Sequence, residues 1–213
     1  MSPPHGPLAA GVEYMGEIGE FEMTLSMLVG PQIEPISVEE AKVYLKVDYD
    51  VENEIVSALI TAARLNVERV TRRVLIDQHW RLFLDRLPDN KLIELGIGPV
   101  REIIQAIYYD ENGQPQMISP NDYVVDVSGV PARLKFNLNV GHEKVRAING
   151  YEIDFVAGFG PTTLDIPHDL RHAIMMLVTH WYQNRSAVIS DINGATTPKG
   201  VNELLQPYRV VSL

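Results

Sequence analysis

The 213-residue sequence contains no cysteine, and this single absence removes disulfide frameworks, thiol nucleophiles and thiolate metal sites together. It suits a reducing, intracellular setting. Positive charge is also scarce: 18 Lys and Arg stand against 28 Asp and Glu, a formal net charge of −10. The first basic residue is Lys42, preceded by Glu13, Glu17, Glu20, Glu22, Glu34, Glu39 and Glu40. A secretory leader needs a positive start and an apolar middle, so none is expected here. An acid excess of this size repels phosphates, so any encounter with nucleic acid should be loose. Long apolar runs are missing as well. The stretch "AIMMLV" at 173–178 falls far short of the ~18 residues of a membrane span. The chain is expected to have no membrane partner.

The usual chemical motifs are also absent. "GIGP" and "GFGPTT" are glycine turns that do not continue into GxxxxGK[ST] or GxGxxG, and no serine has the GxSxG setting. No cofactor is expected. The acids of "DYDVENE" (Asp48, Asp50, Glu52, Glu54) have calcium-loop spacing, but Asn53 and Leu59 stand where Gly and Glu would be required. Acids at a helix start explain them better.

What is present is an ordinary globular composition, 46% hydrophobic and 22% charged, long enough to bury a substantial core. Residues 1–35, with "SPPHGP" and weak periodicity, read as an extended or flexible arm. Ser37 and Glu40 form a capping-box pattern that opens a helix over 37–47. Val56, Ile60, Ala63, Val67, Val70 and Val74 recur every three or four residues and predict a long amphipathic helix over 51–74. From about 76 to 157 the period becomes two. "HWRLFLDR", the Asn112-Gly113 turn, "NDYVVDV", "ARLKF" and "YEIDFVA" predict an antiparallel β module. A third helix, over 167–185, carries the stripe Leu170, Ala173, Ile174, Leu177, Val178 and Trp181, with Met175, Met176 and Tyr182 outside it. A polar loop, the short helix "VNELLQ" and the tail "PYRVVSL" fill 186–213. The fold class is α+β: a helical core over 36–185 with an inserted β module.

One stretch invites a catalytic reading. "HDLRH" places His168 and His172 one turn apart, as in zinc peptidases, with Asp169 where a Glu base is usual. The third ligand is missing, because His180 lies about 12 Å farther along the axis. His5, His79 and His142 sit in unrelated segments. A metal-dependent hydrolase using His168 and His172 is therefore the runner-up reading, and a packing helix is preferred.

Taken in order, "SVEEAKVYLKVDYDVENEIVSALITAARLNVERVTRRVL", "LDRLP", "FVAGFG", "AIMMLVTHWYQNR" and "LLQPYR" resemble the head-tail connector, or adaptor, proteins of long-tailed phages and phage-like gene transfer agents. The resemblance spans roughly residues 36–209. It implies a structural subunit with no enzymatic activity, made in the bacterial cytoplasm and placed in the particle neck. Family members form a homo-oligomeric ring, usually of twelve copies, between the portal protein and the stopper or tail proteins, with DNA passing through the lumen. A stopper or tail-terminator of the same particle is the neighbouring alternative. On this basis Arg64, Glu68 and Arg72 of the long helix, with Met175, Met176 and Tyr182, are expected at the subunit interface. Leu204, Leu205, Pro207, Tyr208 and Arg209 are expected to contact the portal.

Overall fold

A computed structural model describes residues 14–17, 22–137, 144–184 and 198–210. His5, His142, Arg185 and the loop over 186–197 lie outside the described residues. The chain divides into two compact units, Met1–Pro31 with Asp77–Gly158, and Gln32–Ile76 with Phe159–Leu213.

Among its described residues the first unit is built of strands, joined by turns and loops and one short 3-10 helix at Pro120–Asp122. Its larger sheet has the order β1 (Tyr14–Glu17), β2 (Glu22–Val29), β3 (Gln78–Leu84), β9 (Tyr151–Ala157), β5 (Val100–Tyr109) and β6 (Pro115–Met117), with every neighbour antiparallel. A second sheet pairs β4 (Leu92–Leu95), β8 (Ala132–Phe136) and β7 (Tyr123–Asp126). The alternation in β3 works as expected: Trp80, Leu82 and Leu84 are buried. The Asn112-Gly113 turn joins β5 to β6, with Gly113 at φ +75°, and the Asp110 carboxylate accepts from the N–H groups of Asn112 and Gln114. That positive φ is cheap only for glycine.

Two features depart from the sequence reading. The segment expected as an arm contributes β1 and β2, and β2 pairs along β3 from Met23↔Leu84 to Val29↔His79. Leu25 is buried there. The β module is also two sheets, because "ARLKF" pairs with "LIEL" on one side and "NDYVVDV" on the other, and neither "ARLKF" nor "NDYVVDV" pairs with β3 or β9.

The second unit is helical: α1 (Val38–Leu45), α2 (Asn53–Thr71), α3 (His168–Gln183) and α4 (Lys199–Leu205). The first three lie within the expected ranges 37–47, 51–74 and 167–185, each slightly shorter than its range. Ser37 caps α1: its hydroxyl accepts from the Glu40 N–H at 3.1 Å, and the Glu40 carboxylate accepts from the Ser37 N–H at 2.9 Å. Val56, Ile60, Ala63 and Val67 of α2 pack with Leu170, Ala173, Ile174, Leu177 and Val178 of α3, and Val201 and Leu205 of α4 join the same core. Each fully buried valine, leucine or isoleucine of this set contributes about 1.5–3 kcal/mol. No helix among the described residues is long and apolar enough to cross a membrane.

Candidate docking surfaces

The residues expected at interfaces fall into three groups in the structure. Arg64, expected to be exposed, is only 7% exposed. It follows Ile60 by four residues and sits at the edge of the buried stripe of α2. Its guanidinium donates to Glu34 at 2.8 Å and to Glu68 at 2.9 Å, while the Thr61 hydroxyl also donates to Glu34 at 2.9 Å. The Glu68 carboxylate also accepts the Leu75 N–H at 3.0 Å, and burial pushes this carboxyl above the usual range. Arg64 and Glu68 therefore tie the segment before α1 and the residues after α2 to the helix. Their exposure to a neighbour is corrected to an internal network.

Met175 and Met176 are half-buried against the helical core, and the Met176 side chain reaches α4 at Gly200, 3.0 Å from where a Cβ would stand. The Tyr182 hydroxyl donates to the Glu52 carboxylate at the start of α2. These three side chains are committed to packing within the unit on one side and are partly open on the other. Arg72, at the end of α2 in the left-handed conformation (φ 54°), is exposed.

In the C-terminal group Leu205 is 1% exposed and belongs to the core, while Leu204 and Tyr208 pack partly against it. Arg73 donates to the Tyr208 carbonyl at 2.7 Å, and the Val210 N–H donates to the Thr71 carbonyl at 3.2 Å. Burial, together with the Asp169 carboxylate, holds the Tyr208 phenol above its ordinary value. Pro207 and Arg209 are exposed, and Arg209 donates to the Asn202 side chain at 3.1 Å. The expected portal segment is thus half core and half surface.

The histidine pair takes ordinary surface positions. His168 and His172 are exposed, His172 stands edge-on to Tyr44 with ring centroids 6.5 Å apart, and Asp169 serves Tyr208. Among the described residues, no group of three or more His, Asp or Glu side chains is placed to hold a metal ion.

Sequence reading missed the charged cluster on the strand unit's sheet. Arg81 of β3 forks onto Asp154 of β9 at 2.6 and 2.8 Å and reaches Glu152 at 3.0 Å; Gln105 of β5 donates to Asp154 at 2.8 Å. The hydrogen bond to Asp154 comes first among the causes that hold Arg81 firmly charged. Arg146 lies 3.7 Å from Glu152 and only 3.5 Å above the Tyr109 ring. The available signal was the pairing of charged positions between apolar ones in "HWRLF" and "YEIDF". Among the described residues, an open hollow of about 470 Å³ is lined by Asp85, Arg86, Pro88, Lys91 and Arg146, with no converging reactive set.

The fold defines a class: an α+β protein with charged groups paired internally around Arg64 and Arg81, and with exposed faces at the end of α2 and along the C-terminal segment. Residues 145–209, which span β9, α3 and α4, match the family model of phage gp6-like head-tail connector proteins. No curated protein matches the chain. Among solved structures, a chain in the neck of an empty gene transfer agent (GTA) particle, computed with C6 symmetry, has the same fold. Its TM-score is 0.71 at 24% identity, over 89% of this chain and 96% of that one. A chain of the native GTA virion matches with TM-score 0.72 at 22% identity, over 89% and 96%. A chain in the native GTA neck, computed with C12 symmetry, gives 0.63 at 22% identity, over 88% and 97%. Residues 145–209 thus resemble phage gp6-like head-tail connector proteins, and the chain as a whole has the fold of GTA neck chains.

Proposed function

We propose that the chain is a structural adaptor subunit in the neck of a phage-like gene transfer agent particle. Its copies form a closed ring between the portal and the stopper or tail proteins, and DNA passes through the lumen. The observation that carries this reading is the connector-family match over residues 145–209 on a chain whose fold follows GTA neck chains along nearly its whole length. The net charge of −10 supports it, since an acidic subunit offers passing phosphates no grip. A ring needs heterologous contacts, each subunit presenting one face to its neighbour and receiving a different one. Arg72 and the open edges of Met175, Met176 and Tyr182 are positions for such contacts. In this reading the chain works as a mechanical part, and no chemical step is assigned to it.

The portal contact is placed on the exposed side of the C-terminal segment, at Pro207 and Arg209, with Leu204 and Tyr208 beside them. Leu205 supports that segment from within the core. Co-expression with the cognate portal protein tests the reading: the two should co-purify as a ring complex visible by electron microscopy. The double variant Pro207→Ser with Arg209→Glu should weaken co-purification by about tenfold or more while leaving the circular dichroism spectrum unchanged. Failure of the wild-type chain to bind the portal would overturn the adaptor assignment. Unchanged binding by the double variant would remove the C-terminal contact alone.

A further inference from the structure

Five large apolar side chains cluster in sequence at the α1 to α2 junction, and all are open to solvent: Val43 at 80%, Tyr44 at 46%, Tyr49 at 60%, Val51 at 84% and Ile55 at 44%. The junction is held in place. The Lys42 ammonium pairs with Asp50 at 2.7 Å, and Tyr182 donates to Glu52, so α1, the turn and α3 fix the same short stretch. Asp48, Asp50 and Glu54 are exposed around it together with Lys46, and no other basic residue occurs between Lys42 and Arg64.

The other end of α2 has the opposite character. Arg69 and Arg72 are exposed there. Along the chain no acid occurs between Glu68 and Asp77; Asp169, beside Tyr208, is the acid that this end receives from α3. The two ends are separated by the length of α2, 19 residues, or about 28 Å. Acids at a helix start and bases at its end agree with the helix dipole, and the dipole does not account for Tyr49 and Val51 in water.

We infer that the acid-rimmed apolar patch at the start of α2 docks on the basic end of α2 in a second copy of this chain. The occupant follows from charge. The patch would repel the acidic junction of another copy, whereas the same chain carries a matching basic face one helix length away. A contact between two different faces of one subunit is heterologous and propagates from copy to copy, so it closes a ring if the rotation permits. The long stems of Arg69 and Arg72 can lie over Tyr49 and Val51 while their guanidinium groups reach Asp48 and Glu54. This inference rests on the ring reading and names the faces that would make the ring.

The natural lack of cysteine makes a direct test possible. The full chain carrying Val51→Cys and Arg69→Cys together, treated with a thiol-specific bismaleimide, should give a ladder of covalent multimers. Either single substitution should give no ladder. In parallel, the acid-reversed chain (Asp48→Lys with Glu54→Lys) and the base-reversed chain (Arg69→Glu with Arg72→Glu) should each fail to self-associate in analytical ultracentrifugation. Their equimolar mixture should recover assembly, because each then meets its opposite. If the wild-type chain forms rings but the double-cysteine chain gives no ladder and the mixture gives no recovery, this surface is wrong and the ring reading stands. If the wild-type chain stays monomeric both alone and bound to the portal, the ring reading and this surface fall together.

Discussion

The charged residues of greatest consequence in this protein face inward. Arg64 bridges Glu34 and Glu68 with side-chain exposures of 8%, 29% and 11%. Removing one partner of such a pair strands the others, which costs about 3–5 kcal/mol for a fully buried set and less here because Glu34 is partly solvated. Arg64→Ala is therefore expected to shift the urea midpoint sharply downward without changing the secondary structure of the folded state. A surface arginine at an interface would instead leave the monomer's stability unchanged. Asp126 behaves differently. The Ser128 hydroxyl and Arg133 hold its carboxyl down at about 2, against an ordinary value of 3.8. A depressed carboxylate stabilises the fold above its unfolded value, and that contribution fades as pH falls through the folded one. The stability difference between wild type and Asp126→Asn should be constant near neutrality, shrink below pH 3.8 and be gone just below pH 2. Thermal melts across that range check the sign.

At the scale of elements, local signals and long-range pairing contribute differently. The capping box at Ser37 and Glu40 is complete in the structure, so Ser37→Ala should cost about 1 kcal/mol, measured by chemical denaturation. That loss belongs to α1, the helix that carries Val43 and Tyr44. β9 shows the contrary case. Its sequence alternates as a half-exposed strand does, yet all of Tyr151–Ala157 is buried. Glu152 and Asp154 are covered because Arg81 and Gln105 on the flanking strands close over them. The strand after the helices also needs a sharp exit. Gly158 has φ +152°, and a Cβ there would meet the Asp77 backbone at 2.6 Å.

Over the whole molecule, the C-terminal segment has two roles. Val201 and Leu205 are core residues of the helical unit, and Pro207 and Arg209 are surface. Deleting residues 201–213 would unpack the unit and remove the face proposed for the portal together. Point substitutions at Pro207 and Arg209 are for that reason the informative test of portal binding. Likewise, aspartate at Met175 and Met176 would strike the packing of α3 against α4 as well as any neighbouring subunit. The junction patch at Tyr49 and Val51 is open to solvent, so substitutions there bear on assembly with little effect on the fold.

Much of the architecture was legible in the residues themselves. The three long helices, the Asn-Gly hairpin and the α+β class follow from periods of 3.6 and 2 and from capping and turn chemistry, which act over a few neighbours. The apolar stripe of α3 and the connector resemblance were legible for the same reason, being local patterns in a fixed order. What only the tertiary structure decided depends on partners distant in sequence. β2 lies fifty residues and more from β3 along the chain yet pairs with it, the strands divide into two sheets, and Glu34 turns Arg64 from a surface residue into a buried one. Exposure at the α1 to α2 junction was decided in the same way. A helical period states which residues share a face, and only the packing of the other elements decides whether that face meets protein or water.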